Sequence, residues 1–246
     1  ATGPVTVRSD GTTRTITGDF EPPRPNVALN DLDFRGSLNA SVDGTRVVGC
    51  SVVAPGIFEN VIGADDVVLH DSLFVGDTHS SGYCVDTQII FQDDSRLRIT
   101  GNTFQNYCDA KEGDHSEALY IGYDTFDMFI AGNTFTRNGS TGHIFFTWWS
   151  VPGAYPRRVC VTGNSFNETY SNVYDIQAYS CSGCADEIPD SAPIFIEDSG
   201  AQAGVVSTFP LKNCQQCLDG IDNDGDGLLD LWDPQCSDGE DGSEDS

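Results

Sequence analysis

LRITGNTF (residues 97–104), MFIAGNTF (128–135) and VCVTGNSF (159–166) are three versions of one phrase, set 31 residues apart. Leu97, Met128 and Val159 fall in one register and Ile99, Ile130 and Val161 in a second. Asn102, Asn133 and Asn164 share a third, and Phe104, Phe135 and Phe166 a fourth. VVLHDSLF, from Val67, is a weaker copy 30 residues earlier, and TRVVGCSVV, from Thr45, is another 22 residues before that. Each phrase alternates apolar and polar residues, turns at Gly-Asn and then places an aromatic, which reads as a strand, a bend and an inward side chain. One such unit cannot cover its own apolar face. Stacked units can, because equivalent residues then lie one strand spacing apart, about 4.8 Å. The expectation is a set of ladders through the stack: aliphatic, asparagine with amides bonded from copy to copy, and phenylalanine. Helical repeats would instead show a period of about 3.6 residues, and these phrases do not.

The I-x-G-N-x-F copies resemble the coils of right-handed parallel β-helix proteins of the pectate-lyase-like superfamily, over approximately residues 20–210. The resemblance implies an all-β solenoid but says little about function, since that fold hosts lyases, hydrolases, adhesins and structural proteins. Second strands such as QIIFQ (88–92), ALYIG (118–122), HIFFTW (143–148) and PIFIE (193–197) are expected to supply the other faces of each coil. At the N-terminus, VTVRSDGTTRTIT alternates around Asp10-Gly11 and carries a hairpin signature. It reads either as a cap over the first coil or as an arm that pairs with a neighbouring subunit, because open strand edges invite pairing. The chain thus divides into residues 1–19 as hairpin cap or assembly arm, 20–213 as parallel β-helix and 214–246 as an acidic segment.

The charge is lopsided. Thirty-eight acidic side chains face 12 Lys and Arg, a formal net charge of −26. Nucleic acid is a poor partner for such a surface, and so are polyanionic sugars unless divalent cations bridge the two. Residues 214–246 hold 11 of the 38 acids and no Lys or Arg, so the body remains acidic without them.

Within that segment runs CLDGIDNDGDGLLDLWDPQC (217–236). Counted from Asp222, carboxylates stand at positions one (Asp222), three (Asp224), five (Asp226), nine (Asp230) and twelve (Asp233), with Gly227 at six. Leu228, at seven, offers its backbone carbonyl. Ca²⁺ takes six to eight hard oxygens, and alternate positions on a tight loop aim them at one centre. Asp219 and Asn223 are spare oxygens for a second ion. The twelfth residue is aspartate rather than glutamate, and no amphipathic helix flanks the loop. It therefore resembles a thrombospondin type 3 repeat or a dockerin loop more than an EF-hand. Cys217 and Cys236 bracket it, and a bridge between them would fix its ends. The remaining SDGEDGSEDS has the composition of a disordered tail.

Nine cysteines suit disulfides in an exported protein, and their odd number leaves at least one free or paired between chains. A zinc site at Cys181, Cys184, Cys214 and Cys217 is the alternative, with a gap longer than the usual ribbon spacing. The opening ATGPVTV has no charged-then-apolar leader, so a secretory leader already removed is the expectation. No apolar run is long enough to span a membrane. Asn39, Asn138 and Asn167 fit the glycosylation acceptor pattern. Trp148-Trp149 begins an aromatic loop that would stack on a sugar, bury itself between subunits or pack locally.

A polysaccharide lyase of this superfamily needs calcium-binding acids on the helix flank and an Arg or Lys as base. Asp93, Asp94, Arg96 and Arg98 lie on one coil, and Asp109, Lys111, Glu112, Asp114, His115 and Glu117 crowd the next loop. Asp93 and Asp94 would also serve glycoside hydrolysis as acid and base. Adjacent strand residues point to opposite faces, however, and the polygalacturonase motifs are otherwise missing. His70, His79, His115 and His143 show no metal spacing. The resulting expectation is a secreted calcium-binding structural protein that assembles with copies of itself into a fibre, sheath or adhesive surface, with glycans as possible further partners. A calcium-dependent polysaccharide lyase or glycoside hydrolase acting on plant or algal polymers is the alternative.

Overall fold

The computed structural model describes residues 5–8, 14–36, 38–53, 59–76, 89–107, 117–122, 124–136, 142–148, 156–167, 175–180, 194–197, 205–207, 211–212 and 214. These residues form a parallel β-helix of three sheets, with every strand pair parallel and no helix among them. Sheet 1 stacks Val5–Arg8, Val27–Asn30, Arg46–Val48, Val68–His70, Ser95–Thr100, Phe126–Ala131, Arg157–Thr162, Ile194–Glu197 and Leu211–Lys212. Sheet 2 stacks Arg14–Thr17, Leu32–Arg35, Ser51–Val53, Leu73–Val75, Thr103–Gln105, Thr134–Thr136 and Ser165–Asn167. Sheet 3 stacks Glu59–Ile62, Ile89–Gln92, Leu119–Gly122, Ile144–Trp148, Ile176–Ser180 and Val205–Ser207.

The register is the one that the repeat demands. Leu97 pairs with Met128 and Met128 with Val159; Phe104 pairs with Phe135 and Phe135 with Phe166. The inward columns form one continuous core. Phe74, Phe104, Phe135 and Phe166 stack at centroid spacings of 5.0 to 5.1 Å with planes within 14° of parallel. That offset stacking is the arrangement in which aromatic faces attract, and it follows directly from the strand spacing.

The asparagine ladder is equally regular. Asn133 Oδ1 accepts the backbone N–H of Asn102 at 2.9 Å and its Nδ2 at 3.0 Å, while Asn133 Nδ2 donates to Ile99 O at 2.7 Å. Asn164 repeats the pattern one coil later, accepting from Asn133 and donating to Ile130 O. Each amide therefore satisfies two buried backbone groups of the bend on the preceding coil. The glycine before it has φ of +57° to +67° at Gly101, Gly132 and Gly163, a conformation that costs glycine nothing. In earlier coils Asp31 and Asp71 take this corner at φ 56° and 47°, which aspartate tolerates better than most residues.

Three expectations need correction. The N-terminal stretch is not a hairpin: Val5–Arg8 pairs in parallel with Val27–Asn30 in sheet 1, and Arg14–Thr17 with Leu32–Arg35 in sheet 2. Alternation around Asp10-Gly11 suits two successive sides of a coil as well as two arms of a hairpin. PIFIE is not a third-face strand; Ile194–Glu197 pairs with Arg157–Thr162 and continues sheet 1. Its place on sheet 3 is taken by Ile176–Ser180. The coil VALNDLDF (27–34), which the sequence reading passed over, is also a full member, with Leu29 against Val47 and Phe34 against Val52.

Candidate functional site

Charged side chains in the described coils are concentrated where sheet 3 turns into sheet 1. Asp66, Arg96, Asp127 and Arg158 occupy one column there, at φ 61°, 53°, 55° and 49°. This shared left-handed conformation turns each side chain outward beside that of the next coil. Arg96 Nε and Nη2 reach the two carboxylate oxygens of Asp66 at 2.7 and 3.1 Å. Arg158 holds Asp127 the same way at 2.5 and 2.9 Å. Beside them Arg157 pairs with Asp124 and lies over the Phe126 ring, 4.5 Å from its centroid. Such forked pairs fix orientation as well as supplying charge.

Asp93 and Asp94 are separated by their backbone rather than by strand alternation. Asp93 is exposed at φ 58°, in the turn after Ile89–Gln92. Asp94 is fully buried and accepts the backbone N–H of Ala64 at 2.7 Å and of Gln92 at 2.6 Å. Burial pushes its carboxyl up to about 8, while the two N–H donors pull the other way. Asp94 thus closes a turn, and the pair shares no substrate-facing surface.

A second buried set sits where sheet 2 passes to sheet 3. Glu117, His143 and Asp175 are each 0 % exposed. His143 Nε2 lies 3.6 Å from Asp175 Oδ1, and its ring lies beside Phe135 and Phe166. Burial lowers His143 to about 4 against the opposing pull of Asp175. No group of three or more His, Cys, Asp or Glu among the described residues is arranged to hold a metal ion.

The outer face of sheet 1 carries the remaining chemistry. Arg98, Phe129 and Cys160 share one outward column, and the Arg98 guanidinium lies 5.2 Å from the Phe129 centroid. Cys160 is disulfide-bonded to Cys214, with Cα atoms 5.5 Å apart across 54 residues of chain. Lys212 lies in register with Phe195 and Phe195 with Cys160, two strand spacings or about 9.6 Å away. The chain after Lys212 therefore turns back over the outer face, where the partly buried Ala131 and Cys214 pack against the buried Phe129 and Cys160. This bond removes Cys214 from the zinc set. Cys50 is the described free thiol; it is 2 % exposed in the asparagine-ladder column, and its Sγ lies 3.3 Å from Leu29 O. Burial raises its pKa, so this thiol is not placed for pairing between chains.

The calcium loop from Asp219 to Asp233, with Asp222, Asp224, Asp226, Leu228 and Asp230, lies outside the described residues. So do Cys217, Cys236, Asn138, Trp149, His79 and residues 109–115. Trp148 is described only as the last backbone position of its strand. Asn39 is half-buried, its Oδ1 accepting the N–H and hydroxyl of Ser41 at 3.1 and 2.6 Å. Asn167 is exposed at the end of the last described strand of sheet 2. The corner ion pairs and the His143–Asp175 contact escaped the sequence reading. The signal was present, because aligning SRLRIT, FDMFIA and RRVCVT by their apolar columns sets Asp127 between two arginines.

No protein-family model and no curated protein matches the chain. Among solved structures, it is similar to the alginate lyase from Paenibacillus sp. str. FPU-7, at 12 % identity and a TM-score of 0.38. That alignment covers 87 % of this chain and 83 % of the other.

Proposed function

We propose that the protein is a secreted, calcium-binding structural protein of an extracellular fibre, sheath or adhesive surface, built from copies of itself. The observation that carries this reading is the use to which the coils put their charged side chains. Arg96, Arg157 and Arg158 are each committed to an aspartate, Arg98 lies over Phe129, and Asp94 is buried beneath a turn. A lyase on this fold needs a basic side chain presented to its polymer, and these arginines hold coil to coil instead. The disulfide Cys160–Cys214 fits an oxidising compartment, and no described helix is long and apolar enough to cross a membrane.

The acidic segment then supplies what a chain of net charge −26 needs in order to meet its own copies. Ca²⁺ in the loop of Asp222, Asp224, Asp226, Leu228, Asp230 and Asp233, with Asp219 nearby, offsets like-charge repulsion between neighbours. Glycans on Asn39, Asn138 and Asn167 and the aromatics Trp148 and Trp149 would decorate or contact that assembly.

Electron microscopy in calcium and then in chelator is the test. Ordered assemblies that dissolve on chelation are expected, together with no release of unsaturated or reducing sugar ends from pectin or alginate. A particle that stays monomeric in calcium and releases such ends would make the protein an enzyme and end this reading.

A further inference from the structure

The outer face of sheet 1 differs in charge from the chain as a whole. One outward column runs from Ala28 to Cys160 through Arg46, Val68, Arg98 and Phe129. A second runs beside it from Asn30 to Thr162. Neither column holds an acid, in a chain of 38 acids and 12 Lys and Arg. Acids stand at its borders, where Asp66 and Asp127 are held by Arg96 and Arg158 and Asp71 lies beside His70. On the face itself Arg46 is exposed, and Arg98 is half-buried with its guanidinium over Phe129. Phe129 is only 7 % exposed although it stands in an outward column, and Cys214 packs against its cluster. The covering of this face has therefore begun at Cys214.

The disulfide also fixes the direction of the chain. Lys212 stands two strand spacings beyond Cys160, so the bond of Cys214 to Cys160 draws the chain back toward Phe129 and Arg98. Residues 215–246 carry eleven acids and no Lys or Arg. From Cys160, Arg98 lies two spacings further along the column, about 9.6 Å, and Arg46 four, about 19 Å. An extended chain spans about 3.4 Å per residue, which brings Asp219 within about 17 Å of Cys214 and Asp222 within about 27 Å. The first carboxylates of the acidic segment can thus reach both arginines. A covalent anchor a few residues away also turns a weak exposed contact into an intramolecular one, at an effective concentration of about millimolar or more.

We propose that residues 215–246 dock back on the outer face of sheet 1, their carboxylates meeting Arg98 and Arg46. The acid-free face and the acidic segment are complementary, and the Cys160–Cys214 bond joins them at their common edge. The docking needs no calcium and goes beyond the assembly reading above. Where that reading holds, the loop of Asp222 to Asp233 is displayed along the flank of the solenoid, and copies meet side by side.

Carbodiimide coupling of the monomer in chelator tests the contact, because this reagent joins an amine only to a carboxylate that touches it. Arg98→Lys keeps the charge and supplies the amine, and bonds to acids within residues 219–245 are expected by mass spectrometry. Thr103→Lys, on the outer face of sheet 2, should give about tenfold fewer. An aspartate-specific endoprotease gives a second readout: Arg98→Glu or high salt should speed cleavage within 219–245 about threefold or more. Absence of coupling from Arg98→Lys overturns the proposal, as does equal coupling from Thr103→Lys. Cleavage indifferent to both Arg98→Glu and salt overturns it too; the salt arm and the conservative lysine variant keep the test valid if Arg98→Glu folds poorly. Coupling in a protein that calcium fails to assemble leaves the docking standing and ends the assembly reading.

Discussion

The column at the Gly-Asn bend is built in two ways along the molecule. In the later coils it is Asn102, Asn133 and Asn164, each amide bonded to the preceding coil's backbone. In the earlier coils it is Leu32, Cys50 and Ser72, all at most 3 % exposed. The transition is graded. Ser72 N donates to Asn102 Oδ1, Ser72 Oγ accepts Cys50 N, and Cys50 Sγ lies near Leu29 O. A buried polar column is stable only when each member meets its neighbour's requirements, so the ladder weakens one step at a time rather than stopping.

Cutting the polar half should have the largest effect. Asn133→Ala removes the acceptor for Asn102 N and the donor to Ile99 O, leaving two buried backbone groups without those partners. At about 1–3 kcal/mol each, the loss should be about 2–6 kcal/mol by chemical denaturation. Cys50→Ala, in the same column, removes one weak sulfur donor and a small volume and should cost about 1–2 kcal/mol. Equal losses at the two sites would erase the distinction between the halves.

This contrast also explains what could be read in advance. The three asparagine coils announced themselves because a buried amide that must bond above and below admits few substitutes. VALNDLDF went unnoticed because Leu32 fills the same position by apolar packing alone, which many residues can do. PIFIE was assigned to the wrong sheet for a related reason: an inward-facing apolar strand looks alike on every face of a coil, and only its spacing to the next bend distinguishes them. The disulfide Cys160–Cys214 could not be read from the sequence at all, because it depends on the chain doubling back after Lys212. Asp93 and Asp94 do point apart as alternation along a strand predicts, but the cause is different: they lie in the turn after Ile89–Gln92, where Asp93 takes a positive φ.

Buried titratable groups sharpen the comparison next. His143 is held near 4, below its usual 6.5, so the later coils gain stability above pH 6.5 that is lost as pH falls toward 4. Asp94 is held at about 8, above its usual 3.8, so its contribution has the opposite sign: stability is greatest at low pH and declines as pH rises toward 8. The two oppose each other between about 4 and 6.5, and above that Asp94 acts alone. His143→Gln should leave Asp94 unopposed, so that stability falls as pH rises from about 4 to 6.5, and Asp94→Asn should remove the decline between pH 6.5 and 8, when unfolding free energy is measured across that range. The shape of each profile is the readout, so a uniform loss of stability would not mimic it. An unchanged acid slope in His143→Gln would place the sensitivity elsewhere.

The smallest effect separates two ion pairs that look alike in outline. Asp127 and Arg158 are 7 % and 16 % exposed at their side chains, whereas Asp66 and Arg96 are 42 % and 38 % exposed. Water already screens the second pair, so Arg96→Gln should cost at most about 1 kcal/mol. Arg158→Gln leaves the Asp127 carboxylate buried with its forked partner gone, which carries a larger penalty because desolvation is no longer offset. Denaturation in low and high salt discriminates between them, since salt weakens the exposed pair and barely touches the buried one. If both variants lose the same stability and respond alike to salt, then burial does not grade this corner, and the later coils owe their order to the amide and phenylalanine ladders alone.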